Sequence, residues 1–159
     1  MQDRPMLRRS GVFLAAVAAT AVAGTLVQTQ INLAAIAALG APVTLADRLR
    51  VSAADLLGFT PTLAALAFAA LLLALPAAAL LARRGGPGVR APLYALAGWA
   101  GLMAAFGVAD ALAPMPTLIA ATRSLPGALA VAASGALGGW LYARFARRAP
   151  PSRPLAQGA

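Results

Sequence analysis

Four long stretches of the chain carry no charged side chain, and their lengths set the predicted architecture. The first uncharged stretch runs from Ser10 to Ala46 and is apolar from Gly11 to Val27 except for Thr20 and Thr25. A helix crossing a hydrocarbon core of about 30 Å needs about 20 residues, so a first span is predicted over about 11–30, continuing through Gln28, Thr29 and Gln30. Ile31 to Leu39 is apolar again, and the pattern predicts a bend at Gln28–Asn32 into an interfacial piece stopped by Gly40 and Pro42. A rival reading takes Arg8 and Arg9 as the basic flank of a cleaved leader with Ala21-Val22-Ala23 as its small-residue cleavage motif, which leaves three spans.

The second run, Pro61 to Ala82, has 22 uncharged residues. Thr60 is placed to cap it, Pro61 suits the first helical position, and Pro76 is expected to kink it. Arg83, Arg84 and the Gly85-Gly86-Pro87-Gly88 breaker end it. The third run starts at Ala91-Pro92 and stays uncharged to Ala109, predicting a helix over about 91–112. The fourth spans about 124–143, with Ser124 as cap, Pro126 in the first turn, and Arg144, Arg147 and Arg148 beyond its end. The expected fold is therefore all-α and integral to a membrane: four transmembrane helices in one bundle over residues 11–148. A cytoplasmic tail (1–10) precedes it and a Pro-rich disordered tail (149–159) follows.

Between the first two spans lie about 30 residues, 31–60, that are not loop-like. Thr44-Leu45-Ala46-Asp47 and Ser52-Ala53-Ala54-Asp55 both resemble the polar-x-x-acid start of a helix. Leu45, Leu49, Leu56 and Leu57 give an apolar side against Asp47, Arg48 and Arg50. One or two short amphipathic helices are predicted there, on the outer surface of the bilayer or capping the bundle.

Composition supports this pattern. Of 159 residues 61% are hydrophobic, above the roughly 45–50% of soluble domains. The net charge of +9 comes from 13 Arg and 4 Asp; Lys, Glu, His and Cys are absent. A basic chain raises nucleic acid as a partner, but these arginines sit at the ends of apolar runs, where topology places them. With both termini cytoplasmic, that side receives Arg4, Arg8, Arg9, Arg83, Arg84, Arg90, Arg144, Arg147, Arg148 and Arg153, against Arg48, Arg50 and Arg123 outside. This bias predicts a multi-pass protein of the bacterial inner membrane, with Tyr94, Trp140, Tyr142 and Phe145 near the inner boundary.

The missing side chains remove whole chemistries. Without Cys there is no disulfide, thiolate nucleophile or zinc-thiolate site, and without His no imidazole base. Neither a catalytic set nor a metal or cofactor site is expected. Small residues at four-residue spacing mark helix-packing faces: Ala97, Gly101, Ala105 and Ala109 in the third helix, Gly135 and Gly139 in the fourth, Ala16, Thr20 and Gly24 in the first.

Polar residues concentrate on the outer side: Gln28, Gln30, Asn32, Asp47, Arg48, Asp55, Asp110, Thr117 and Arg123. They form a candidate polar site or partner contact. Asp110 lies about 27 Å along a helix starting at Pro92, at the membrane rim, where Arg123 is positioned to pair with it as structural glue or as part of an ion path. The functional expectation is a non-catalytic accessory or scaffolding subunit in contact with the lipid bilayer and with a membrane-protein partner or further copies of itself. The alternative is a small oligomeric transporter or channel using the outer polar site.

Overall fold

The computed structural model describes residues 3–85, 88–112 and 120–146, and among these every regular element is helical. The helices are α1 (Asp3–Ala38), α2 (Leu45–Gly58), α3 (Thr60–Ala82), α4 (Arg90–Leu112) and α5 (Leu125–Phe145), with a 3₁₀ turn at Ala120–Arg123 before α5. Four of the five, α1, α3, α4 and α5, are long and apolar enough to cross a membrane.

The first helix is longer than the hydropathy pattern predicts. Its 36 residues span about 54 Å, so it absorbs both the expected tail before residue 11 and the expected interfacial piece after residue 30. Nothing between Asp3 and Ala38 breaks a helix except Pro5 in the first turns, and the polar Gln28–Asn32 stretch keeps the backbone bonding pattern intact. Termination comes at Gly40, whose φ of +89° is the left-handed conformation that suits glycine just past a helix end, with its N–H donating to the Ala37 carbonyl at 3.0 Å. Ala21-Val22-Ala23 lies in mid-helix, with Ala21 fully buried.

α2 is one helix, not two. Thr44 caps it through a reciprocal box: its hydroxyl accepts from the Asp47 N–H at 3.2 Å and its own N–H donates to the Asp47 carboxylate at 2.9 Å. Ser52 and Asp55, the second predicted start, lie inside the same helix because both side chains bond across to α1. Thr60 likewise does not cap α3; Phe59 occupies the cap position and the Thr60 hydroxyl bonds to Thr25 instead, 3.0 Å away. Ser124 does cap α5, accepting from the Gly127 N–H at 3.2 Å. α3 continues through Pro76 to Ala82.

α1 packs against α3 and α5, and α4 packs against the same two helices, so α1 and α4 sit on a diagonal of an up-down bundle. The ends carrying Arg9, Arg83 and Arg90 therefore lie together, with α2 at the opposite end. Close contact depends on glycine. A Cβ on Gly98 of α4 would strike the Gly135 carbonyl of α5, one on Gly135 the Gly98 carbonyl, and one on Gly139 the Tyr94 carbonyl. Gly101 faces α3, with Ala74 Cβ 2.8 Å from where its own Cβ would stand. Gly135 and Gly139 meet α4 and Gly101 meets α3, while Ala97, Ala105 and Ala109 are half-buried; Gly98, the residue in register with both α5 glycines, was not among the expected packing residues.

The interior combines many Ala and Gly with larger side chains, Leu63, Leu71, Leu102 and Val131 fully buried and Leu75, Tyr94 and Phe106 nearly so. Large apolar side chains face outward instead, including Leu72, Leu73, Leu80, Leu96 and Val108. A water-soluble bundle hides such residues, whereas small-in and large-out is the arrangement that hydrocarbon permits.

Candidate functional site

The polar residues of the α2 end converge on one turn of α1. Thr29, itself buried, points at α2 and lies 2.6 Å from Asp55 Oδ2; its hydroxyl is also 2.9 Å from the Thr25 carbonyl one turn back. The next residue, Gln30, uses both ends of its amide: Nε2 donates to Ser52 Oγ at 3.0 Å, and Oε1 accepts from Arg48 Nη1 at 2.8 Å. Arg48, Ser52 and Asp55 follow i, i+4, i+7 spacing, so they form one stripe along α2, and that stripe faces α1. Thr60, at the start of α3, closes the cluster through Thr25.

Of the predicted candidates, the structure thus joins Gln30, Arg48 and Asp55. Asn32 is half-buried one turn beyond Thr29, and Asp47 is spent on the α2 cap, where the Thr44 hydroxyl and backbone N–H hold its carboxyl below the usual aspartate range. Asp110 is half-buried near the end of α4, and Arg123 is exposed at the end of the 3₁₀ turn. Thr117 lies outside the described residues, as does the predicted disordered tail. Thr25, Thr29, Ser52 and Thr60 were missed by the sequence reading; the signal available was the Thr25/Thr29 i, i+4 pair inside an apolar run.

Gln28 behaves differently from its neighbours. It lies one turn above Gly24 on the face that meets Leu63 of α3 and Ser134 of α5, is only 6% exposed, and its Oε1 has no hydrogen-bond partner among the described residues. An unmet buried acceptor costs about 1–3 kcal/mol.

The apolar side of α2 is exposed at Leu45, Leu49 and Leu57 and half-buried at Leu56. At about 100° per residue, Leu45, Leu49, Leu56 and Leu57 fall within a third of the helix circumference. No residue of α2 is buried, and Leu45, Leu49 and Leu57 are among the most exposed large apolar side chains of the molecule. Polar bonds join this helix to α1 while Leu45, Leu49 and Leu57 stay exposed.

At the opposite end the interior is aromatic. Tyr94, predicted as a boundary anchor, is buried and stacks on Tyr142 with centroids 5.9 Å apart, while Trp140 and Phe145 are exposed. Arg90 lies over the Tyr94 ring at 4.8 Å. Among the described residues no three His, Cys, Asp or Glu side chains gather as a metal site would need. Comparison of the chain with known protein families, curated proteins and solved structures finds no match.

Proposed function

We propose that the protein is a non-catalytic, multi-pass component of the bacterial inner membrane with both termini cytoplasmic, acting as an accessory or scaffolding subunit of a membrane complex. In this orientation α2 lies at the outer surface with its leucines toward lipid or partner, and the polar residues of the Gln30–Asp55 cluster hold it to α1.

The observation that carries the reading is the interior of the bundle. Among the described residues the buried polar side chains are Thr20, Thr25, Gln28, Thr29 and Ser134; no Arg or Asp is buried as a whole residue, and the one buried charged-group atom without a partner is the Nε of half-buried Arg90, at the arginine-rich end. Thr20, Thr29 and Ser134 bond to carbonyls of their own helices. Such an interior offers an ion no continuous ligands and a solute no passage, which favours a structural role over a path through one copy. A helix with exposed Leu45, Leu49 and Leu57, held to α1 by polar side-chain bonds and continuous with α3 through Phe59, suits a docking element, because an exposed apolar face is stabilised when a partner covers it.

Purification in mild detergent followed by native mass spectrometry tests this. The expected result is a stoichiometric membrane-protein partner, lost when Leu45, Leu49 and Leu57 are changed together to Ser. A homo-oligomer that moves solute in liposomes, with flux abolished by Asp110→Asn, overturns it in favour of a transporter built between copies.

A further inference from the structure

A groove of about 490 Å³ opens on the outside of the bundle near the arginine-rich end, between α1 and α3. Its walls are Phe13 and Leu14 of α1 and Phe68, Leu72 and Leu75 of α3, and Tyr94 and Tyr142 also line it. Phe13 and Phe68 meet edge to face across it with centroids 5.3 Å apart. At the terminal end of the same groove stand Arg9 and Ser10, both exposed. The site therefore joins a long apolar trough to a cation and a hydroxyl.

We propose that this groove binds one anionic phospholipid of the surrounding bilayer, its acyl chain in the trough and its phosphate on Arg9 and the Ser10 hydroxyl. The volume is that of a small-ligand site. Charge selects the headgroup. The described side chains at this end include Arg8, Arg9, Arg83, Arg84, Arg90 and Arg144, while three of the four acids, Asp47, Asp55 and Asp110, lie at the other end, about 30 Å away along α1, and only Asp3 precedes the arginines of α1 in the sequence. A second copy of this chain would bring the same arginines to the groove and be repelled, whereas a phosphate is attracted and can accept two charge-assisted hydrogen bonds from one guanidinium.

The proposal rests on membrane residence but not on the accessory role. Its test uses the full chain in a nonionic detergent, with dioleoyl phosphatidylglycerol and dioleoyl phosphatidylcholine supplied in equal amounts and bound lipid counted by native mass spectrometry. Phosphatidylglycerol should be retained in roughly tenfold excess. Arg9→Gln should bring the two lipids close to parity and Arg9→Lys should keep most of the preference. Leu72→Trp, at an exposed position where the ring can enter the trough, should lower retention of both. Arg84→Gln, which lies outside the groove, serves as the charge control. Equal loss of preference in Arg9→Gln and Arg84→Gln overturns the proposal, because diffuse charge then suffices. Full retention in Leu72→Trp overturns it too, as does displacement of the lipid by glycerol 3-phosphate alone. A chain that stays monodisperse in water without detergent overturns the membrane reading itself.

Discussion

A single methyl group distinguishes the glycines of α4. At Gly98 an added Cβ meets the Gly135 backbone, which cannot swing aside as a flexible side chain can; at Gly107 it meets open space. Gly98→Ala should therefore push α4 off α5, lower the thermal midpoint in detergent and cost about 1–3 kcal/mol. Gly107→Ala should leave the midpoint unchanged or raise it slightly, by up to about 1 kcal/mol of helix propensity. Equal effects at the two positions would mean that α4 and α5 are not in backbone contact. Gln28 gives a second contrast, because replacing an unmet buried acceptor with an apolar side chain of similar length removes a cost and no bond. Gln28→Met is expected to hold or raise stability, and a clear loss in the same melt would reveal a hydrogen-bond partner for its carbonyl. Spacing alone made Gly135 and Gly139 legible in the sequence. Gly98 was not, because in an Ala-rich helix several small-residue registers look alike, and only packing shows that Gly101 turns toward α3 while Gly98 meets α5.

The helix most open to perturbation is α2, which has no buried side chain and relies on α1 for its position. Thr29 and Asp55 should be coupled by about 1 kcal/mol in a double-mutant cycle of Thr29→Val and Asp55→Ala, read out as amide exchange of α2, since the helix can open while the bundle stays folded. Strict additivity would break the direct link. The cap has a pH signature of its own. Its hydrogen bonds favour the charged Asp47 carboxylate and depress its folded-state pKa. The contribution is therefore complete above the unfolded value and is lost as pH falls through the lower folded value, so the first turn of α2 should hold at neutral pH and loosen only in acid. NMR titration of the Asp47 carboxyl should give a midpoint below that of an unstructured aspartate, and Thr44→Val should move it upward. The existence of α2 and its start at Thr44 were readable from the capping pattern. Its orientation was not: Ser52 and Asp55 mimic a second helix start, and the sequence does not say that their partners are Gln30 and Thr29 on a first helix running well past one bilayer thickness.

Across the whole molecule, ionisable side chains are sorted to the two ends, and the arginine-rich end gathers one end of every long helix. Arg8 and Arg9 lie in the second turn of α1, Arg83 and Arg84 follow α3, Arg90 opens α4, and Arg144 lies in the last turn of α5. On the proposed membrane reading, this asymmetry of charge is what sets the orientation of the bundle. Reporter fusions at the amino terminus, after Gly85 and after Ala146 should therefore all report the inner side, and a fusion in the 39–44 connection the outer side. The stronger test moves the charge while leaving the packing alone. Arg83, Arg84 and Arg90 border the short connection between α3 and α4, where positive charge has most weight, and exchanging them for Gln while placing three Arg in the 39–44 connection should convert part or all of the population to the inverted topology. If charge sorting merely reflects solubility at the helix ends, the exchange will leave every reporter where it was, and the assignment of α2 to the outer surface would lose its basis.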